Sequence, residues 1–399
     1  MKKLFLFLSF IVAVLNANAA TRTSVAAGAA LNPFVWDCNC IPLPGDDVVI
    51  NHAITLNTDF GYSSGSITVN ASGSLTGDVA NRIIAVGGGF FVNHGTVNVG
   101  YIYHSAGTFT NHGTMTAPNA FGTDASANTV NHGTLTIPDS LYINTNATLT
   151  NNGTLTVNIV AMAGNLTNTG NFNGTGIWTT GTIQHNSGSF VCDDIYNGGT
   201  VNTGAPMHIT NDFWNTENID INHDLVIDHS FYNGDTTGGG ATFNNDGIVS
   251  VGADWSNSKT VSGSGRFCIS GISSNSGSIT GTLDICDQSG GGGIDLNSGT
   301  IAGTVTTCAI NCNVDVAEEE SSNAITVYPN PFNEMIEIRA EKVLNYDLVV
   351  VNAIGQTVVS MQYQASTIRL DGSKLPSGMY FYKLSSGNKL VSSGRMVKR

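Results

Sequence analysis

Histidine occupies the same place in three successive motifs, Asn93-His94-Gly95-Thr96, Asn111-His112-Gly113-Thr114 and Asn131-His132-Gly133-Thr134. Asn152 replaces it in the next copy, Asn151-Asn152-Gly153-Thr154. Stacked about 4.8 Å apart, His94, His112 and His132 could chelate a soft divalent metal weakly. No carboxylate is fixed beside each ring to orient it, so a solvent-facing position that tolerates His or Asn is the simpler expectation, with no metal and no cofactor. Carboxylates for glycoside cleavage are sparse. Asp193-Asp194 is the best pair, but neighbours on a strand point to opposite faces, and the Asn197-Gly198-Gly199 that follows argues for a turn. Asp220, Asp224 and Asp228 alternate with Ile219, Ile221 and Leu225, which reads as a solvated face and not as clustered oxygen ligands for calcium. A uronate lyase needs a cationic base and charge neutralisation. After Arg22, the chain up to residue 317 holds only Arg82, Lys259 and Arg266. No residue is therefore assigned a catalytic role.

Seven cysteines remain: Cys38, Cys40, Cys192, Cys268, Cys286, Cys308 and Cys312. No His stands at finger-like spacing from Cys38-x-Cys40 or from Cys308-x₃-Cys312, so disulfides or buried thiols are expected ahead of zinc, and an odd count leaves at least one unpaired. Cys268, Cys286 and Cys308 step by 18 and 22 and are expected on one face.

The motifs themselves recur, which defines the elements that must carry these residues. Degenerate copies begin at Asn168, Asn186, Asn245, Asn275 and Asn297, and the first six starting Asn residues step by 18, 20, 20, 17 and 18. After each turn comes alternation such as Thr134-Leu135-Thr136-Ile137 and Thr154-Leu155-Thr156-Val157. That is the pattern of a half-buried strand. A unit of about 19 residues cannot bury its apolar face alone, whereas stacking the units builds a continuous core. The spacing predicts roughly 14 coils of a parallel β-helix over 46–316, with Gly supplying positive φ in the turns and Asn side chains bonding up the stack. Asp212-Phe213-Trp214-Asn215 and Ser230-Phe231-Tyr232-Asn233 stand 18 apart and are expected to stack aromatics in one layer of the core.

Composition agrees. Of 399 residues only 11% are charged, 47 are Gly and 41% are hydrophobic, which argues for a turn-rich β protein and against a helical enzyme, a coiled coil or a nucleic-acid binder. The charge of −14 is uneven: residues 20–317 carry 21 acids and four bases, and 325–399 five acids and nine bases. Lys2 and Lys3, the apolar run Leu4 to Leu15 and Ala17-Asn18-Ala19 have the order of a secretory signal peptide. A cleaved leader at 1–19, a mature end at Ala20 and no transmembrane segment are expected.

Trp36 through Ile50, with Pro42-Leu43-Pro44-Gly45-Asp46-Asp47-Val48-Val49-Ile50, resembles the opening segment of bacterial surface β-helices, which implies an amino-terminal cap over 20–45. Past the acidic run Glu318-Glu319-Glu320, read as a linker at 317–324, the texture changes. Strand candidates at Met335 to Arg339, Tyr346 to Val351, Thr357 to Gln362, Thr367 to Leu370, Met379 to Leu384 and Leu390 to Val397 suggest a small antiparallel sandwich. Residues 325–399 resemble the type A sorting domain of Bacteroidetes type IX secretion cargo. The likeness rests on Tyr328-Pro329-Asn330-Pro331, Gly355-Gln356, Leu375-Pro376-Ser377-Gly378-Met379-Tyr380 and the closing stretch with Gly394 and Lys398. It implies an outer-membrane translocation signal that engages the type IX machinery.

The reading is an all-β chain: a right-handed parallel β-helix followed by a small immunoglobulin-like sandwich. It is expected to pass through the periplasm and to be released or anchored at the outer-membrane surface. A structural, adhesive or glycan-binding role is expected, with extracellular glycans or host and biofilm polymers as partners and no nucleic acid. A secreted polysaccharide-degrading lyase or glycosidase is the alternative.

Overall fold

Strict alternation of apolar and polar residues leaves one side of each short strand in need of cover, and the chain supplies that cover by coiling on itself. In the computed structural model, residues 20–78, 82–234, 242–308, 312, 326–352, 356–386 and 389–399 are described. The expected signal peptide and linker lie outside them. Two compact units divide after Cys312.

The first unit is a β-solenoid of about 14 coils, whose described strands join one parallel sheet of 37 strands. Each coil has three faces. Face 1 holds strands such as Phe90–Asn93 and Thr148–Asn151, face 2 strands such as Thr96–Asn98 and Thr114–Thr116, and face 3 strands such as Phe213–Asn215 and Phe231–Asn233. Inward positions form columns one coil apart. On face 1 the register runs Phe91, Phe109, Thr129, Leu149, Leu166 and Ile183, every one of them buried. Each apolar side chain so placed contributes about 1.5–3 kcal/mol by leaving water. Thr129 is the polar member, and it meets the buried His104 Nδ1 at 3.0 Å. Burial holds that imidazole's pKa down at about 4.

Asparagine ladders mark two corners, where the sequence reading merged them into one. After face 1, Asn93, Asn111, Asn131 and Asn151 each donate from Nδ2 to the Oδ1 of the next Asn at 2.7–2.8 Å, the last acceptor being Asn168. The next rung is His185, whose Nδ1 lies 3.1 Å from Asn168 Nδ2, and not the expected Asn186. After face 3, a second ladder links Asn197, Asn215, Asn233, Asn257, Asn275 and Asn297 at 2.7–2.8 Å. The copies at Asn275 and Asn297 thus belong to the other corner.

The turn glycines also act differently from expectation. Gly95, Gly113, Gly133 and Gly153 do not have positive φ. A Cβ on Gly133 would run into the Gly113 carbonyl oxygen one coil earlier, and the same holds for Gly113 over Gly95 and for Gly153 over Gly133. These corners need Gly because successive backbones touch there.

Disulfides lie near each end. Thr21–Thr23 pairs in parallel with the coil at Asp47–Val49, Trp36 is buried with its Nε1 donating to Ala30 O at 2.9 Å, and Cys38 bonds Cys40. At the other end Cys286–Cys308 joins adjacent coils and Cys268–Cys312 ties down the exit. Cys268 and Cys286 do stack in register, as their spacing predicts. Cys192 is the buried thiol, its pKa pushed up to about 12 chiefly by burial.

The second unit is an antiparallel sheet of five strands, Thr326–Tyr328, Met335–Asn352, Thr357–Asp371, Gly378–Ser386 and Lys389–Lys398. Its core includes Phe332, Ile336, Leu348, Ile368, Leu384 and Met396. Four expected short strands fuse into two long ones. No Gly or Pro separates Arg339 from Tyr346 or Gln362 from Thr367, so the chain bends through a register shift between Arg339 and Leu344 instead of turning.

Candidate functional site

The sequence candidates are placed as follows. The His94, His112 and His132 rings are exposed and stacked, with centroids 4.9 Å apart and planes within 4° and 3°. Burial and the flanking His132 and His94 rings hold the His112 pKa below the ordinary imidazole value. Parallel rings present their nitrogens side by side, not toward one point. Among the described residues no group of three or more His, Cys, Asp or Glu could hold a metal ion.

Asp193 and Asp194 sit at the bend between faces 2 and 3. Asp193 accepts from Thr210 Oγ1 at 2.6 Å, and Asp194 Oδ1 accepts from Asn211 Nδ2 at 2.8 Å and Asp212 N at 3.2 Å. Both carboxylates hold the turn of the next coil. Asp220 accepts from Asn244 on face 1, whereas Asp228 pairs with His208 at 2.8 Å beyond face 2, and Asp224 lies in the corner between them. The three do not converge.

Residues of the carboxy-terminal motifs serve packing. Asn330 donates to Arg395 O at 2.7 Å and accepts from Val397 N at 2.9 Å, which fastens the Tyr328–Phe332 segment to the last strand. Cis peptide bonds precede Pro329 and Pro331. Tyr328 OH donates to Glu337 at 3.1 Å, and Tyr380 OH donates to Pro376 O at 2.7 Å. Leu375 packs against the core, Gln356 bonds Asn352, and Gly394 leaves room for the Tyr382 ring. Gly378 pairs with Lys398 at the end of the last two strands. Gly355 lies outside the described residues.

The surface feature that stands out is on the outer side of face 3. Consecutive coils place Tyr103, Gly122, Tyr142, Ala161, Trp178, Tyr196, Trp214 and Tyr232 in one register column. Trp178 and Tyr196 stack with centroids 5.4 Å apart, Tyr196 and Trp214 at 4.3 Å, and Trp214 and Tyr232 at 5.7 Å. Trp178 is 45% exposed. Beside the rings, toward the second corner, runs a depression of about 440 Å³ lined by Ala161, Met162, Trp178, Thr180, Tyr196 and Trp214 among others. Burial and the nearby Asp194 and Asp212 carboxylates raise the Tyr196 phenol pKa. From 83 to 258 the chain has no Lys or Arg.

Sequence reasoning found Trp214 and Tyr232 but assigned the stack to the core. Phe213 and Phe231 fill the core, and period 2 turns Trp214 and Tyr232 outward. The signal was present, since Trp178, Tyr196, Trp214 and Tyr232 step by 18 each time.

Fold and surface define a class: a β-solenoid with an aromatic stripe, carried ahead of a separate antiparallel unit. Residues 326–399 match the family of secretion system C-terminal sorting domains. The chain is therefore type IX secretion cargo with a β-solenoid before its sorting tail. The tail implies interaction with the type IX machinery and export to the cell surface or the extracellular space. No curated protein matches the chain. Among the described residues no helix is long and apolar enough to cross a membrane.

Proposed function

We propose that the chain is a surface-displayed adhesive protein that binds extracellular glycans through the aromatic column of face 3. In this reading residues 1–19 direct passage into the periplasm and are removed. Residues 20–45 cap a right-handed solenoid over 46–316, 317–324 is a linker, and 325–399 is an immunoglobulin-like sorting domain. The observation that carries the reading is the outward-facing run of Trp178, which is exposed, and Tyr196, Trp214 and Tyr232, which are half-buried. Large aromatics on a solvent-facing strand cost solubility and add nothing to a core already filled by Phe213 and Phe231, whereas with adjacent Thr groups they make an amphipathic platform suited to sugar rings. Thr180 and Thr216 supply hydroxyl partners beside the rings.

The test is binding of the purified full-length protein to an array of immobilised polysaccharides. Saturable retention on at least one of them, reduced about tenfold or more by Trp214→Ala, is expected. Retention on none overturns the reading.

A further inference from the structure

We propose that the open face of Trp178 over Ala161 is a ring-binding subsite for an uncharged linear polysaccharide, which runs from there along the solenoid axis past Tyr196 and Trp214. The inference rests on the glycan-binding reading and specifies where a sugar ring stacks and which glycans are admitted.

Within the column, most ring faces are closed. Tyr196 lies between Trp178 and Trp214, and Trp214 between Tyr196 and Tyr232, so these two rings offer mainly edges. Trp178 differs, because its register partner in the preceding coil is Ala161, whose methyl group covers little of an indole. The next aromatic in that direction, Tyr142, is two coils away, which is about 9.6 Å at about 4.8 Å per coil. One saturated ring in van der Waals contact on both faces needs roughly 7–8 Å.

The equivalent gap over Gly122 is already taken. The Tyr103 ring lies 3.4 Å from where a Gly122 Cβ would stand, and its hydroxyl bonds Asp124. The depression begins at Ala161 and Met162 and continues past Trp178 and Tyr196 to Trp214 and Thr216. The indole is also held in place: a Cβ on Gly176 would meet Trp178 Cζ3 at 3.0 Å and Cη2 at 3.1 Å, so the benzo ring packs against Gly176 of its own strand. A fixed platform spends less conformational entropy on binding.

Charge decides the class of glycan. Between Tyr103 and Tyr232 there is no Lys or Arg, and Asp194 and Asp212 are close enough to Tyr196 to raise its pKa. A uronate or sulfated chain would lie beside carboxylates with no counter-charge. An uncharged chain avoids that repulsion and finds hydroxyl groups at Thr180 and Thr216 along the depression.

Affinity electrophoresis of the full-length protein through gels containing barley β-glucan, xylan or polygalacturonate tests this, with Ala161→Trp to fill the gap and Trp178→Ala to remove the platform. Melting temperatures of both variants establish that the solenoid is intact. Expected are retardation by an uncharged glycan, none by polygalacturonate, and affinity lower by about tenfold or more in both variants. Retardation by an uncharged glycan that survives in both variants overturns the subsite and leaves the glycan-binding reading standing. Preference for polygalacturonate overturns the uncharged class. Absence of binding to every glycan, or a change in sedimentation on Ala161→Trp showing that a second copy covers the face, overturns the underlying reading as well.

Discussion

Deletion of residues 326–399 is expected to leave the solenoid folded and to abolish its appearance outside the cell. Coils of a solenoid are stabilised by their nearest neighbours, so the body does not depend on a distant unit for its core. Its pairings run without interruption from Thr21–Thr23 to Thr306–Thr307, and its exit is tied by Cys268–Cys312. The sorting tail is a separate unit with its own apolar cluster. Surface proteolysis of the native host with quantitative mass spectrometry checks the outcome. Peptides of the body should vanish from the extracellular fraction and accumulate inside, and fusing the tail to a periplasmic reporter should send the reporter out. Unchanged display without 326–399 would remove the export role from the tail.

The second large effect is local. Gly133→Val should destabilise the body by about 3–5 kcal/mol, whereas His132→Asn should be nearly neutral. A valine Cβ at 133 meets the Gly113 carbonyl oxygen, so the two coils must separate. Separation also pulls on Asn131, which accepts from Asn111 Nδ2 at 2.8 Å and donates to Asn151 Oδ1 at 2.7 Å and Thr154 O at 3.0 Å. Buried amides that lose such partners are costly. His132 is exposed, and the next coil already has Asn152 at the same place. Thermal denaturation of the two variants decides it, and equal losses of Tm would show that the corner does not rely on close backbone approach.

Much of the fold was legible because it repeats. Period 2 alternation fixed which side of each strand is buried, and the period near 19 set the coil count. What a single period could not show is that a triangular coil has more than one corner. Asn-x-Gly at 131–133 and at 275–277 look alike in sequence, yet one follows face 1 and the other face 3. The shift from Asn168 to His185 was hidden for a related reason. One extra residue in the turn lets Gly188 still stack on Gly170 while Asn186 leaves the ladder. The glycine requirement was visible, but its cause depends on the neighbouring coil's carbonyl, which local φ preferences do not contain. The aromatic stripe was missed because adjacent aromatics such as Phe213-Trp214 suggest a core, although alternation assigns only one of each pair to it. The sorting motifs were legible as a likeness, and their packing roles needed the strands that bring Asn330 beside Arg395 and Val397.

The most direct test joins display to binding. Host cells carrying the full-length chain, or the same chain with Trp178→Ala and Trp214→Ala, are equalised for surface protein and washed over an insoluble uncharged β-glucan. The account predicts retention of the first population and a loss of about tenfold or more in the second. Equal retention of the two, at equal display, would contradict it.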